Sequence, residues 1–226
     1  MRIGFALLIL FLVSAPTVSA DTYKVSTAEF PEARAIAGLV KEVYREIGHD
    51  MELVFRPAKR SLVDVNSGKF DAELARINGA ELEYPNLVRV EEPVFALSFS
   101  AIVKADSNIW LSSWDEMAKH RIGYPRGYRI MDIRTRNMKA VQAKDAPSIA
   151  KMVKGGRFDI GLIITSDAQK LASEDSAITV LTPPVETVTL YHYVNVKHRR
   201  LIPSIEDVLI KFNDSGRSKE LLYQPK

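Results

Sequence analysis

The chain has 226 residues, of which 46% are hydrophobic and 26% charged, a balance typical of a globular protein with one large domain or two small ones. Its formal net charge of only +3, without a basic run that contains interleaved aromatic residues, argues against nucleic-acid binding. The sequence has no cysteine, so an exported form needs no disulfide bonds and cannot carry a lipid on an N-terminal cysteine.

The first twenty residues have the pattern of a secretory signal peptide. Arg2 supplies a positive start, and the apolar run at 3–13 is too short to span a bilayer as a helix. Val18-Ser19-Ala20 matches a small-residue cleavage pattern. We therefore expect cleavage after Ala20 and a soluble, monomeric protein of the bacterial periplasm; the alternative is an uncleaved membrane anchor.

The next segment predicts a β-α-β-α-β unit, the order typical of a parallel sheet with helical crossovers. Apolar residues follow helical spacing after Pro31, which suits a helix start, and up to Gly48, which suits a helix end. The predicted elements are strands at 23–26, 51–55 and 72–77, and helices at 33–47 and 61–66.

A second unit of the same order follows a long apolar run at 94–103. Its predicted elements are a helix at 114–120 behind a Ser112/Ser113 cap, strands at 121–124, 139–142 and 158–164, and helices at 128–136 and 145–154. A β-type run at 185–196 and an amphipathic helix at 202–212, closed by Gly216, complete the chain.

A short repeat links the two units. Gly68-Lys69-Phe70-Asp71 aligns with Gly156-Arg157-Phe158-Asp159, and each copy lies between an amphipathic helical pattern and an apolar run. The repeat predicts a helix ended by glycine, a tight turn that the aspartate serves, and a strand that enters a sheet. It indicates that one helix–turn–strand unit occurs in two similar lobes.

Two such units joined by two extended runs predict an α/β fold of two lobes, each a mainly parallel sheet flanked by helices. We predict that residues 21–95 and 191–226 form lobe 1, that residues 96–190 form lobe 2, and that hinge strands cross near 94–98 and 186–190. Ligands of such sheets bind beyond the carboxyl ends of the strands, so the expected site is a cleft between the lobes.

In the order and spacing of its motifs, the mature chain resembles the extracellular solute-binding proteins of family 3, small periplasmic receptors with a type II binding-protein fold. The motifs are Phe30-Pro31, Pro57-Ala58-Lys59-Arg60, the two copies of the repeat, and Trp114 before a strand that ends at the Gly127 turn. The resemblance implies a receptor that closes two lobes over a small polar solute, which it passes to an ABC-type membrane permease or reports to a sensor.

One departure from the family bears on the ligand. Amino-acid receptors of this family usually carry Thr-x-x-Arg after a strand of the first lobe, and its arginine holds the ligand carboxylate. Ala80 and Glu83 occupy those places here, as in an atypical branch, so a standard α-amino-acid ligand is in question. Arg76, at the end of the strand, is the candidate anion-binding residue; the alternative is an ion pair with Glu73, Glu81 or Glu83.

The other candidates in the first lobe are Glu29 and Phe30, in the first strand-to-helix turn, and Arg60, at the start of the second helix. Phe30 either stacks on a ligand or packs on the core, and Arg60 faces either the cleft or solvent. Together with Arg76 and Arg126, Arg60 indicates a solute with an anionic group.

The turn that contains Arg126, Gly127 and Tyr128 is the equivalent candidate in the second lobe. Its glycine would let backbone N–H groups at a helix start point toward an anion. Thr165 follows the last strand of this lobe. Asp167, two residues further, either holds a ligand amine or caps a helix.

Catalytic and metal-binding motifs are weak. Ser148-Ile149-Ala150-Lys151 matches Ser-x-x-Lys but lies within a helical pattern without the companion motifs, and the four histidines lack ligand spacing. We therefore expect no enzyme activity, metal or cofactor. Two rivals stay open: a periplasmic enzyme similar to some cyclohexadienyl dehydratases, with Glu29 or Glu73 as its acid/base group, and a signalling partner without a transport role.

Overall fold

The computed structural model describes residues 20–111 and 113–223, which contain ten β-strands and eight α-helices. The predicted signal peptide falls almost wholly outside these residues. The strands are β1 (Thr22–Thr27), β2 (Asp50–Phe55), β3 (Ala72–Ile77), β4 (Leu87–Arg89), β5 (Phe95–Lys104), β6 (Ile122–Pro125), β7 (Ala140–Ala143), β8 (Ile160–Ile164), β9 (Ile178–Val180) and β10 (Glu186–Asn195). The helices are α1 (Ala33–Glu46), α2 (Ala58–Asn66), α3 (Trp114–Met117), α4 (Arg129–Arg134), α5 (Ala146–Lys154), α6 (Thr165–Glu174), α7 (Ile202–Asp214) and α8 (Arg217–Leu222).

All ten strands belong to one curled sheet with the order β2-β1-β3-β10-β5-β8-β6-β7, to which β4 adds beside β10 and β9 beside β5. In what we call the first half, β1 pairs in parallel with β2 and β3; in the second half, β6 pairs in parallel with β7 and β8. The two halves have the same strand order because each is a β-α-β-α-β unit, as the sequence pattern predicts.

The long strands β5 and β10 join the two halves. Phe95–Phe99 pairs antiparallel with Glu186–Leu190, and beyond this segment β5 pairs with β8 while β10 pairs with β3. Each strand thus lies in both halves, and the paired segment is where the chain crosses between them. The stretches predicted as hinges, 94–98 and 186–190, overlap this segment. Their role as hinges and the residue bounds of the lobes remain predictions.

The repeat has the same geometry in both copies. Gly68 and Gly156 have φ angles of +78° and +69°, which a residue without Cβ adopts at little cost. In the first copy, the amide of Lys69 donates to the carbonyl of Asp64 at 3.0 Å; in the second, the amide of Arg157 donates to that of Met152 at 2.9 Å. Both helices therefore end in the turn predicted from the glycines.

The two aspartates of the repeat join neighbouring strands. The Oδ2 atom of Asp71 accepts from the amide of Lys24 at 2.8 Å, and that of Asp159 accepts from the amide of Arg121, also at 2.8 Å. Each aspartate amide in turn donates to the carbonyl of the same partner. The aspartates thus fix the start of the third strand of each half against the first, a role beyond the turn itself.

Helical spacing places the apolar face of α1 in the core, where its side chains are buried: Ile36, Leu39, Val40, Val43 and Tyr44. Helix α1 also packs against α7 and α8, the last two helices of the chain. Helix α3 ends at Met117, three residues before the predicted end. The elements α8, β4 and β9 are not expected from the sequence pattern, and α6 is expected only as the helix that Asp167 would cap. Among the residues that the structure describes, no helix is both long and apolar enough to span a bilayer.

Candidate ligand-binding cleft

A cleft of about 960 Å³ lies between the two halves, beside the carboxyl ends of their parallel strands. The first half contributes residues that end or follow β1, β2 and β3, and the second half contributes residues that end or follow β6, β7 and β8. The connecting strands contribute Leu97, Phe99, Val188 and Leu190. Six of the eight candidate site residues line the cleft: Glu29, Phe30, Arg76, Arg126, Gly127 and Tyr128.

Arg76 lines the cleft, as expected of an anion-binding residue, and it also forms an ion pair with a nearby glutamate, which was the alternative. Its Nε atom lies 3.0 Å from Oε1 of Glu73, and its Nη2 atom donates to the carbonyl of Ala58 at 3.2 Å. These contacts tie the end of β3 to the start of α2. The side chain is 16% exposed, so the cleft face of the guanidinium remains accessible to a solute.

A β-bulge allows Arg76 and Glu73 to meet. Side chains three apart in a regular strand point to opposite faces of the sheet. Here Tyr191 pairs with Arg76 but Tyr193 pairs with Glu73, so β3 contains one extra residue between these pairs. The bulge turns both side chains to the same side, which gives the cleft arginine its buried partner.

Glu73 itself is fully buried and does not line the cleft. Burial raises the pKa of its carboxyl to about 7, against the opposing effect of the Arg76 charge. The Ser61 hydroxyl donates to Oε2, and the hydroxyls of Ser61 and Ser26 share a hydrogen bond of 2.7 Å. Glu73 is therefore a buried partner that orients Arg76, held in turn by hydroxyls of α2 and β1.

Two further basic residues of the first half line the cleft next to the end of β2. Arg56 donates from Nη2 to Oδ2 of Asp64 at 3.1 Å, and the side chain of that aspartate is largely buried. Lys59, in the first turn of α2, is exposed and has no ion pair within the described part of the chain. One cation is thus fixed at this wall of the cleft and the other is free to reorient.

The turn after β6 forms the facing wall. Gly127 has a φ angle of +91°, and a Cβ atom added there would lie 3.3 Å from the Cβ atom of Ala58 in the first half. Arg126 is exposed and makes no ion pair with any residue that the structure describes. The Tyr128 ring lies 5.5 Å from that of Phe99, and burial raises the pKa of its hydroxyl. The turn therefore offers one unpaired cation beside an aromatic surface.

Side chains also connect the two halves directly. Nη1 of Arg129, in the second half, lies 2.8 Å from Oε1 of Glu83, in the first half. The Ser166 hydroxyl, at the start of α6, donates to the carboxylate of Glu32, just before α1. Together with the approach of Gly127 to Ala58, these contacts hold the two walls together away from the connecting strands.

Two candidate site residues do not line the cleft, and for these the expectation of a place in the site is corrected. Arg60 is exposed, since α2 turns Ser61, Asp64 and Val65 inward and leaves Arg60 outside. Thr165 begins α6, where its hydroxyl shares a hydrogen bond of 2.9 Å with that of Ser100. The strand residue before it, Ile164, lines the cleft instead.

Asp167 lies within the first turn of α6, which has no side-chain capping bond, so the capping role expected for it is wrong. Burial raises the pKa of its carboxyl, and the negative charge of Glu32 raises it further. Asp167 is not among the residues that line the cleft. Neither of the two roles considered for it is therefore seen in this arrangement.

Several charged residues of the cleft were not predicted from the sequence: Arg56, Lys59, Glu83, Arg129, Asp132 and Lys144. Position relative to the strands is the signal that could have found some of them, because Arg56 and Lys144 directly follow the ends of β2 and β7. Among the residues that the structure describes, six basic and three acidic side chains line the cleft. Its lining is thus positively charged on both walls.

The fold is that of the type II periplasmic binding proteins, as solved structures show. A mutant of ArgBP from T. maritima superposes with a TM-score of 0.72 over 89% of this chain and 93% of its own, at 16% identity. A histidine kinase sensor domain with similarity to periplasmic binding proteins gives 0.72 over 90% of this chain and 94% of its own, at 9% identity. An amino acid ABC transporter substrate-binding protein from Streptococcus pneumoniae, bound to L-arginine, gives 0.68 over 89% and 92%, at 14% identity.

Similarity in sequence is weaker than similarity in fold. An uncharacterised protein of Shewanella oneidensis is 24% identical over 190 residues, which is 80% of this chain and 72% of that protein. No protein-family model matches the chain. The comparisons therefore show the two-lobed binding-protein architecture, which in the solved structures serves solute-binding proteins and a sensor domain.

Proposed function

We propose that this protein is a periplasmic receptor that binds a small organic solute through an anionic group. The observation that carries the proposal is the cleft of about 960 Å³ at the carboxyl ends of two facing sheets, lined by six basic and three acidic side chains. Small-molecule sites are concave, mostly apolar and contain a few well-placed polar groups, and this cleft has that character. Arg126 and Arg76 are the residues that we assign to the anion, one from each wall.

Binding would work by closure around the paired segment of β5 and β10. A solute held by both walls favours the closed form, because only that form offers contacts from Arg76 and Arg126 together. A membrane permease or a sensor protein would then recognise the closed form. Transport receptors and a sensor domain among the similar structures support both partners equally.

We also propose that the protein binds its solute without catalysing a reaction. Of the two carboxylates considered for acid/base chemistry, Glu73 is fully buried behind Arg76 and does not reach the cleft, whereas Glu29 lines it but is exposed. An acid/base group must lie within hydrogen-bonding reach of its substrate. Measurable turnover of prephenate or arogenate by the purified protein would contradict this part of the proposal.

Export to the periplasm belongs to the same proposal and depends on the signal-peptide pattern of the first twenty residues. The fold supports it, because similar structures include substrate-binding proteins of ABC transporters. Cell fractionation of the expressing bacterium, followed by N-terminal sequencing of the mature protein, tests it directly. A mature chain that begins at Asp21 is the expected result, and a membrane-bound chain that keeps residues 1–20 would oppose it.

A thermal-shift screen against organic acids, amino acids, polyamines and sugars tests the receptor function. A ligand at one hundred times its Kd stabilises a protein by about 2.7 kcal/mol, enough to raise Tm by several degrees. For any anionic hit, Arg126→Ala should weaken binding at least tenfold, whereas Arg199→Ala should not change it. Arg199 is an exposed arginine without an ion pair in the described chain and does not line the cleft.

Arg126 is a better probe than Arg76 in this screen. Replacing Arg76 would leave the Glu73 carboxylate buried without its partner, so a loss of stability would be mixed with a loss of binding. Arg126 has no such partner in the described residues. Equal affinities of the wild type and Arg126→Ala for the ligand would show that Arg126 does not bind its anionic group.

A further inference from the structure

The acidic side chains of the cleft determine whether a positively charged ligand group has a place to bind. Glu83 is paired with Arg129 of the second half at 2.8 Å. Asp132 accepts hydrogen bonds from the Tyr124 hydroxyl at 2.8 Å and from Nε2 of Gln142 at 2.7 Å. Both carboxylates are therefore engaged by protein groups of the second half.

Glu29 is the third acidic side chain of the cleft, and it is exposed to solvent. A ligand ammonium group at Glu29 would meet no second unengaged carboxylate in the described lining, whereas unpaired basic side chains lie on both walls. At the end of β8, the lining residue is the apolar Ile164, and the following carboxylate, Asp167, lies outside the lining. Among the described residues, Glu29 is thus the one lining carboxylate that no protein group engages, and it lies on a single wall of the cleft.

The basic side chains show the opposite pattern. Arg126 and Lys59 lie on opposite walls and have no ion-pair partner within the described chain. Arg76 and Arg56 have carboxylate partners, Glu73 and Asp64, but still line the cleft. A single carboxylate of a ligand would therefore meet a cation from either wall.

The remaining lining is apolar and includes aromatic rings from both walls, among them Phe30, Phe55 and Tyr128. Aliphatic side chains of the connecting strands, such as Val188 and Leu190, complete this surface. Burying an apolar ligand body against them stabilises the complex by roughly 25 cal/mol per Å², so this surface favours a ligand with a hydrocarbon or aromatic portion.

We propose that the ligand is a carboxylic acid with an apolar body and no positively charged group, and not an α-amino acid such as arginine. The proposal deepens the receptor function above and depends on it. It concerns the chemistry of this cleft alone, where two of the three described acidic side chains are engaged while unpaired basic side chains lie on both walls, an arrangement that suits an anion better than a zwitterion or a cation.

Matched pairs of compounds that differ in the ammonium group test the proposal. The probes are 4-methyl-2-oxopentanoate against L-leucine, phenylpyruvate against L-phenylalanine, and 5-guanidino-2-oxopentanoate against L-arginine, measured with the purified protein by thermal shift and isothermal titration calorimetry. At least one of the first two oxo acids should bind with a Kd at least tenfold lower than its amino acid. The guanidino compound should bind more weakly than the other two oxo acids, because its cationic end lacks a partner.

Variants connect the result to the cleft. Arg126→Gln should raise the Kd of the oxo acid at least tenfold, and Arg199→Gln, remote from the cleft, should leave it within twofold. If instead an amino acid binds as tightly as its oxo acid, and Glu29→Gln weakens that amino acid, then Glu29 holds an ammonium group and the proposal is overturned.

The outcomes also separate this inference from the receptor function. An amino acid, sugar or polyamine that binds more tightly than every oxo acid overturns the inference but leaves the receptor function intact. Failure of the oxo acids and of every other compound in the screen counts against both. Preferential binding of an oxo acid that depends on Arg126 supports both.

Discussion

Glu73 is a carboxyl group placed where water cannot reach it, and its neighbours show how the fold tolerates it. An isolated buried charge costs several kcal/mol, and a buried ion pair repays that cost only with good geometry and additional hydrogen bonds. The Nε atom of Arg76 lies 3.0 Å from Oε1 of Glu73, and the Ser61 hydroxyl donates a hydrogen bond to Oε2. We infer that the cost of burying Glu73 is retained because this carboxyl group holds Arg76 in the orientation that a ligand requires.

Replacement of Glu73 by glutamine should change how stability depends on pH. The pKa of Glu73 is raised from an ordinary 4.5 to about 7 by burial, so folding favours its protonated form. Its contribution to stability is fully present below about pH 4.5 and is lost as pH rises through about 7. Relative to Glu73→Gln, which cannot titrate, the wild-type protein should therefore lose stability between pH 5 and pH 8. Urea denaturation at several pH values measures the difference in free energy of unfolding.

His192 also changes stability with pH, but it does not affect the difference measured in that experiment. It is fully buried, its Nε2 atom lies 3.1 Å from the Tyr44 hydroxyl, and burial lowers its pKa to about 4. Its contribution to stability is lost as pH falls from about 6.5 through 4, the reverse of the Glu73 effect. Because His192 is present in both proteins, its effect cancels in the difference. A difference that stays constant with pH would mean that Glu73 titrates alike in the folded and unfolded chain.

At the residue scale, position along the chain was predictable but orientation was not. The candidates in strand-to-helix turns, Phe30 and Arg126 among them, line the cleft because such turns meet at one edge of a sheet. The sequence offers Glu73, Glu81 and Glu83 alike as partners of Arg76. Regular strand alternation would place Arg76 and Glu73 on opposite faces of the sheet. The bulge that unites them arises from the register with β10, more than a hundred residues later.

At the scale of elements, the repeat predicted more than any single residue did. Glycine at the helix end, the buried phenylalanine and the strand-joining aspartate occur in both copies because each solves the same local problem of turning a helix into a strand. Strands shorter than four residues, such as β4 and β9, lack a periodic pattern, and the sequence gives them no comparable signal.

Gly123 should not tolerate even one added methyl group. A Cβ atom there would overlap the ring of Phe158, the phenylalanine of the second repeat copy. Gly123→Ala should therefore lower the free energy of unfolding by about 1–3 kcal/mol through overpacking. Chemical denaturation monitored by circular dichroism provides the measurement.

The matched control is Gly38→Ala in α1, where the backbone is helical and no atom of the described chain lies within 4 Å of an added Cβ. Alanine in an exposed helix interior should raise stability by about 0.5–1 kcal/mol. If both substitutions change stability in the same direction, the packing of Phe158 on Gly123 does not explain the glycine at that position.

At the scale of the whole molecule, the arrangement of two halves followed from the order of elements, but the contacts across the cleft did not. Two β-α-β-α-β units joined by two extended runs leave few alternatives to a pair of facing sheets. The Arg129–Glu83 pair and the Ser166–Glu32 contact depend on how the halves are rotated about β5 and β10. Sequence spacing contains no information on that rotation.

The Arg129–Glu83 pair should favour the closed arrangement. Both side chains are about half exposed, so the pair contributes roughly 0.2–1 kcal/mol at low salt. Arg129→Glu replaces attraction with repulsion and should increase the radius of gyration of the ligand-free protein in small-angle X-ray scattering. The effect should shrink at high salt, where charges are screened over a few Å.

Exchange of the two charges is the control. Glu83→Arg combined with Arg129→Glu restores an attractive pair and should return the radius of gyration to the wild-type value. An unchanged radius in the single variant would indicate that other contacts, such as Ser166 with Glu32, determine the closed form.

The path of β10 also affects the order in which the protein can fold during synthesis. The sheet of the first half is complete only after Leu190–Val194 has paired with β3. The two helices that pack against α1, namely α7 and α8, come later still in the chain. The second half forms from contiguous chain, with β6, β7 and β8 all made before β10 emerges. We therefore expect the second half to fold first in a nascent chain. The first half would stay unfolded, exposed and dependent on chaperones until the C-terminal residues have been made.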